Sequence, residues 1–389
     1  MSRSTLLFIF FLGLCALLLG YNYYVQPFKD LFNPEPAAQV EVEPEDTLSA
    51  ADQLLTQLST TEKVWQVLAV PYTVSASPSA SLEDIVARKP GMITLFGDRI
   101  GTESAMAVRE QIAAGDRGER RDQLPIWLAV DHEGGRVQRL SGPGFTRVPS
   151  WQELCQLEPD TRQIILEKTA TELSVAGIDL IFAPMVDVAS GSAVLGNRVC
   201  SDDPAEVISA SQQVVTLFTD QGILPVIKHF PGIGSTTRDL HTTFDRVTVT
   251  EDDALIYRQL LTQFPRLGVM TAHVGVVNQY PDLPCSLSPA CVGELQNNFP
   301  AALIFTDALE MKAAAYTASG TPKNLESIST EAITAGNNVL VYGSGVTLSE
   351  LSTIAKTLEA RAATDSAFLN RINNSVRKII EYKTTRVGE

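Results

Sequence analysis

The 389-residue chain has only four histidines, at positions 132, 229, 241 and 273. Each falls at the end of an apolar run or in the polar stretch just after one. Histidines scattered for packing or solvation would not sort that way, which points to a shared site. His241 follows a carboxylate, Asp239, by two residues. An imidazole needs an acceptor to fix its tautomer and raise its basicity, so the pair reads as a general acid/base unit. A D-x-H pair alone is frequent by chance. This one gains weight by following Lys228-His229, which close the apolar run 223–227, and the chain breakers Pro231, Gly232 and Gly234. Asp307 ends another run, Ile-Phe-Thr-Asp, with apolar residues behind it. A carboxylate fixed in that way suits a nucleophile.

Binding groups lie in two further stretches. In Asp131-His-Glu-Gly-Gly-Arg-Val-Gln-Arg139, the glycines allow a tight turn that leaves Asp131 and Arg139 free to reach a ligand. A carboxylate accepts two hydroxyls and a guanidinium donates to several oxygens, which fits a polyol. Glu133 and Arg136 have a competing use as an internal salt bridge. Arg198, in Leu-Gly-Asn-Arg-Val-Cys, could also reach the ligand, with capping or an aspartate partner as the competing use. A metal held by His229, Asp131 and Asp307 has no support from spacing, and the five cysteines lack metal-ligand spacing.

These groups need a scaffold. Apolar, β-branched runs occur at 65–70, 92–96, 126–130, 180–186, 224–227, 268–272, 302–306 and 338–342. Stretches of helical spacing lie between most of them, including 161–176, 204–221, 251–264, 324–335 and 348–360. Continuous apolar runs suit strands buried on both faces of a parallel sheet. Eight strands alternating with helices predict an α/β fold, a (β/α)8 TIM-type barrel filling residues 47–389. A doubly wound open sheet would usually carry a Gly-rich phosphate loop after its first strand, and none is visible. Five successive runs end in Asp131, Asp187, Lys228-His229, His273 and Asp307, which would gather on the C-terminal face of the barrel.

Composition bounds the partners. A net charge of −15 argues against nucleic acid, and 44% hydrophobic residues are ample for a core. Residues 6–20 are almost wholly apolar and are followed by Tyr21, Tyr23 and Tyr24. Residues 1–30 therefore read as an uncleaved signal anchor, with a cleaved signal peptide as the alternative. The Pro- and Glu-rich stretch 31–46 reads as a linker holding the domain off the membrane, outside the cytoplasm. In such a compartment Cys285 and Cys291 could pair across a loop, and unpaired thiols are equally compatible.

Taken together, these stretches resemble glycoside hydrolase family 3, in its β-N-acetylglucosaminidase branch. That branch carries the signature KH[FI]PGHG-x4-D-[ST]-H, which reads KHFPGIG-STTR-D-L-H from Lys228 to His241. DHEGGRVQRL at 131–140, GNRVCSDDP at 196–204, VMTAHV at 269–274 and IFTDALEM at 304–311 are also similar. The resemblance implies a retaining mechanism on a (β/α)8 barrel. Asp307 would attack the anomeric carbon, and His241, paired with Asp239 on a mobile loop, would serve as acid and then base. Asp131, Arg139, Arg198, Lys228 and His229 would hold a non-reducing terminal GlcNAc, with no metal or organic cofactor. A chain ending after the barrel also matches the single-domain aminosugar branch. Ile233 and Leu240 depart from the signature and put loop geometry and substrate range in question, which leaves a β-glucosidase or β-xylosidase of the same family, or an inactive glycan-binding relative, as alternatives.

Overall fold

The apolar runs become eight parallel strands: β1 (Leu68–Thr73), β2 (Met92–Phe96), β3 (Trp127–Val130), β4 (Leu180–Ile181), β5 (Leu224–Phe230), β6 (Gly268–Thr271), β7 (Leu303–Thr306) and β8 (Leu340–Val341). They pair in the order β7-β6-β5-β4-β3-β2-β1-β8. A parallel bridge between Phe305 and Val339 joins the two ends, so the sheet closes on itself. This is the expected (β/α)8 barrel, seen in a computed structural model that describes residues 49–75, 80–115, 124–189, 191–316 and 321–385. The segments 1–30 and 31–46, read above as anchor and linker, lie outside the described residues. Among the described residues no helix is long and apolar enough to cross a membrane.

The strands read as unbroken apolar runs because both of their faces are covered. Every residue of β3, β5, β6 and β7 is buried. One face fills the barrel and the other meets a ring of helices, the main ones being α1 (Pro159–Val175), α2 (Pro204–Asp220), α3 (Glu251–Gln263), α4 (Leu325–Ala335), α5 (Leu348–Thr364) and α6 (Ser366–Thr384). Helix starts follow local chemistry. Thr250 and Asp253 form a capping box on α3, and Thr347 and Glu350 do so on α5. Asp203 caps α2 ahead of Pro204, as the Asp-Asp-Pro triplet predicts.

Two runs differ from expectation. Trp65 and Gln66 belong to the helix Thr60–Gln66, whose Ser59–Glu62 capping box starts it, and β1 begins only at Leu68. The run 180–186 holds just two strand residues, followed by an isolated bridge from Met185 to Lys228. Pro184 falls inside it and offers no N–H to a ladder.

Cys285 and Cys291 are disulfide-bonded, and so are Cys155 and Cys200, a pairing that the sequence reading did not anticipate. The second bond ties the helix Trp151–Gln156 to the loop that carries Arg198.

Candidate active site

At the C-terminal ends of the strands lies a cavity of about 870 Å³, lined by all eight residues assigned above to catalysis or binding. Parallel strands deliver their last residues to one rim, so groups far apart in sequence meet there. Lys228 is the centre of the binding side. Its ammonium lies 2.5 Å from Glu133 and 3.4 Å from Asp131. Arg198 grips Glu133 with two N–H groups, at 2.8 and 2.9 Å. Burial alone would raise the pKa of Glu133. The charges of Lys228 and Arg198 and their hydrogen bonds overcome that and hold it well below the usual carboxylate range. Burial likewise opposes the charge on Arg198, and Glu133 overrides it, raising the pKa of the guanidinium. Arg139 stands 4.0 Å from Asp131 and lies over the ring of Phe96. The salt bridge considered between Glu133 and Arg136 does not form. Arg136 donates instead to the carbonyl of Leu195.

His229 is positioned by a residue that the sequence reading marked only as a strand end. Asp187 lies 2.8 Å from its Nδ1, accepts its backbone N–H at 3.1 Å, and accepts the N–H of Ile233 at 2.8 Å. Since Nδ1–H is thus engaged, Nε2 is the nitrogen left for the cavity. Ending a strand was the signal shared by Asp187 and its neighbours, and it applied equally here.

Asp307 extends from the end of β7. Its backbone N–H donates to Thr271, and its Oδ1 accepts the N–H of Ala308 at 2.8 Å. Burial would raise its pKa, but the nearby His229, the Ala308 N–H and the ammonium of Lys228 bring it below the usual value. It is therefore ionised, as a nucleophile requires. His273 is fully buried and holds the backbone behind Asp307. Its Nε2 donates to the Ala308 carbonyl at 3.0 Å and its Nδ1 meets Ser286 Oγ at 2.7 Å. Burial lowers its pKa, so the ring is neutral and Nδ1 accepts from the serine.

Asp239 and His241 sit on the loop after β5. Nδ1 of His241 is 2.9 Å from Asp239 Oδ1, which also accepts the His241 backbone N–H at 3.0 Å. These bonds lower the pKa of Asp239. The loop is docked on the segment after Asp307, where Ala313 N–H donates to the carbonyl of Leu240 and Lys312 N–H to that of His241. The departures Ile233 and Leu240 are both buried apolar anchors of this loop, 4% and 5% exposed. Two glycines let the loop lie flat. A Cβ at Gly234 would come within 1.7 Å of the Val188 carbonyl, and Gly232, at φ +122°, leaves no room beside Asp253.

Two histidines do not line the cavity: His273, which sits behind Asp307, and His132. His132 is buried, faces a small apolar cavity behind the barrel wall, and has neither ring nitrogen hydrogen-bonded. Burial drives its pKa down to about 4.

A sequence profile described as the glycosyl hydrolase family 3 N terminal domain matches residues 59–382. The beta-hexosaminidase LpqI of Mycobacterium tuberculosis is 34% identical over 247 residues, 61% of each chain. A beta-hexosaminidase of Tolumonas auensis is 33% identical over 227 residues, 56% of this chain and 66% of that one. The aligned regions thus span about three fifths to two thirds of those relatives. Among solved structures, a beta-N-acetylhexosaminidase of Beutenbergia cavernae superposes with a TM-score of 0.74 at 25% identity, over 84% of this chain and 99% of that one. M. tuberculosis LpqI also gives 0.74, at 26% identity over 88% and 99%.

Proposed function

We propose that this chain, which belongs to glycosyl hydrolase family 3, is a retaining exo-β-N-acetylhexosaminidase. It removes non-reducing terminal GlcNAc from cell-wall fragments or chitooligosaccharides. The observation that carries this reading is one cavity holding an ionised, rigidly backed Asp307 and a carboxylate-oriented His241, with a set of cationic and carboxylate groups beside them. The hydrogen-bonding groups Asp131, Arg139, Arg198, Lys228 and His229 hold the hydroxyls of the terminal sugar. Asp307 attacks its anomeric carbon while Nε2 of His241 protonates the departing oxygen, giving a glycosyl-enzyme. The same imidazole, now neutral, takes a proton from water as the water oxygen attacks the anomeric carbon and breaks its bond to Asp307, which releases the sugar with its original configuration. Asp239 keeps Nδ1–H oriented and stabilises the imidazolium between turnovers.

The anchor reading of residues 1–30 places this domain outside the cytoplasm, held to the membrane through a linker at 31–46. Two disulfides suit an oxidising compartment.

The test is release of an aryl leaving group from β-GlcNAc and β-glucose glycosides, with Asp307→Ala and His241→Ala alongside. Turnover of the GlcNAc compound with retained configuration, nearly abolished by Asp307→Ala, is the expected result. Activity confined to the glucoside, or an Asp307→Ala variant as active as wild type, would overturn the reading.

A further inference from the structure

The side chain of His241 is 72% exposed, so few contacts of its own fix where the imidazole stands. Its place must come from the anchors of its loop. Close to His241 these are long backbone bonds, from Ala313 N–H to the Leu240 carbonyl at 3.2 Å and from Lys312 N–H to that of His241 at 3.4 Å. Bonds of that length hold weakly against competing water. Just beyond His241 the fastening is of another kind. The rings of Phe244 and Tyr316 stack with centroids 4.0 Å apart and planes inclined by 7°. Arg246 lies over both, its guanidinium carbon 5.4 Å from the Phe244 centroid and 5.9 Å from that of Tyr316. The same guanidinium donates to Asp282 at 2.8 Å and to Tyr316 Oη at 3.3 Å. The stretch Asp245–Val247 also runs as a short parallel strand beside Val274–Val276. A Cβ at Gly275 would come within 2.9 Å of Phe244 Cζ, so glycine there lets the ring seat against its neighbour. Phe244 and Arg246 follow β5, Asp282 follows β6 and Tyr316 follows β7. The cluster thus joins the loop of the acid/base group to the segment of the nucleophile, although none of its four side chains lines the cavity.

We propose that the Phe244–Tyr316 stack, braced by Arg246 and Asp282, is a positioning device for the general acid: it sets the register of the loop so that Nε2 of His241 meets the leaving oxygen. This rests on the glycosidase reading and deepens it, adding Phe244, Arg246 and Tyr316 as positioning residues that act through His241. Stacked rings under a cation fix angle as well as distance, which two long backbone bonds do not. A cluster that served stability alone would change the folded fraction and so affect every substrate alike. A device that positions the acid affects each substrate in proportion to its leaving group's need for a proton.

The experiment compares kcat/KM of the full chain on dinitrophenyl and phenyl β-GlcNAc glycosides, a constant that covers the steps up to the glycosyl-enzyme. Dinitrophenolate departs without protonation, whereas phenolate needs the acid. His241→Ala sets the scale, with a loss of about 10²-fold or more on the phenyl glycoside and only a few-fold on the dinitrophenyl one. Tyr316→Ala should lose roughly tenfold on the phenyl glycoside and less than about twofold on the other. Arg246→Gln should act in the same direction with a smaller loss. Tyr316→Phe keeps the stacked ring and should stay within about twofold of wild type on both. Each result is a ratio on one preparation, so the folded fraction cancels. Equal losses on the two glycosides, no loss on either, or a Tyr316→Phe variant as impaired as Tyr316→Ala would overturn the proposal and leave the glycosidase reading standing. A wild type inactive on both glycosides would sink that reading, and equal losses in His241→Ala would sink its choice of acid; either takes the proposal with it.

Discussion

Lys228 and Glu133 leave 4% and 2% of their side chains exposed, whereas His241 and Asp239 leave 72% and 57%. Both pairs join a cation or imidazole to a carboxylate at hydrogen-bonding distance, and they are built on opposite terms. The buried pair is held by long-range contacts, since Glu133 and Arg198 lie 65 residues apart. Each member is fixed by several partners, and removing one strands the others in a medium that penalises charge. The exposed pair is local. Its two members are two residues apart, share one acceptor oxygen, and rest on a loop docked by backbone hydrogen bonds and buried apolar anchors. The first arrangement gives geometry through rigidity. The second leaves an imidazole open to solvent and oriented by one local carboxylate.

The contrast breaks most sharply in a pair of substitutions. His241→Ala should lower kcat by about 10²- to 10⁴-fold, the usual share of a general acid/base, while stability moves by less than about 0.5 kcal/mol. Thermal unfolding beside initial rates measures both. Glu133→Ala should do the reverse in stability, costing about 3–5 kcal/mol because Lys228 and Arg198 are left buried and unpaired. Activity falls as well, through sugar binding, and would appear mainly in KM. Equal stability losses for the two variants would erase the distinction.

Next in size is the disulfide that fastens the Arg198 loop. Cys155→Ser with Cys200→Ser removes a bond closing a separation of 45 residues, for which chain entropy predicts a loss of about 4 kcal/mol at most. The loss is expected in chemical denaturation, together with a raised KM that the Cys285–Cys291 double variant does not share.

Acid titration sharpens the comparison further. Glu133 is depressed in the folded state relative to its ordinary value of 4.5. Its stabilisation is therefore full above that value and is lost as pH falls below it toward the folded pKa. Melting temperature should decline on acidification from about pH 5 downward, and Glu133→Gln should flatten that slope. The smallest expected effect is at the loop. Leu240→Ser should reduce kcat a few-fold and raise protease sensitivity near Asp239, with little change in global melting, because the segment opens locally.

Much of this molecule was legible from side-chain type along the chain. Continuous β-branched runs alternating with helical spacing point to parallel strands under helices, which favoured a barrel with a doubly wound open sheet as runner-up, and the Phe305–Val339 bridge is what closes the sheet. Residues such as Asp131, Lys228, His229 and Asp307 were readable because a strand end has one destination, the C-terminal rim. The Asp239–His241 pair was readable because it is closed within three residues. Tertiary structure alone decided which way a rim residue turns and whom it meets. His132 and His273 end runs as His229 does, yet one faces an apolar cavity and the other braces the backbone behind Asp307. Glu133 was free in the sequence to choose Arg136, three residues away, and the fold gave it Lys228 and Arg198. Gly343 makes room for Glu310, and Cys155 finds Cys200. These partnerships join different strands or loops, where distance in space has no counterpart in spacing along the chain.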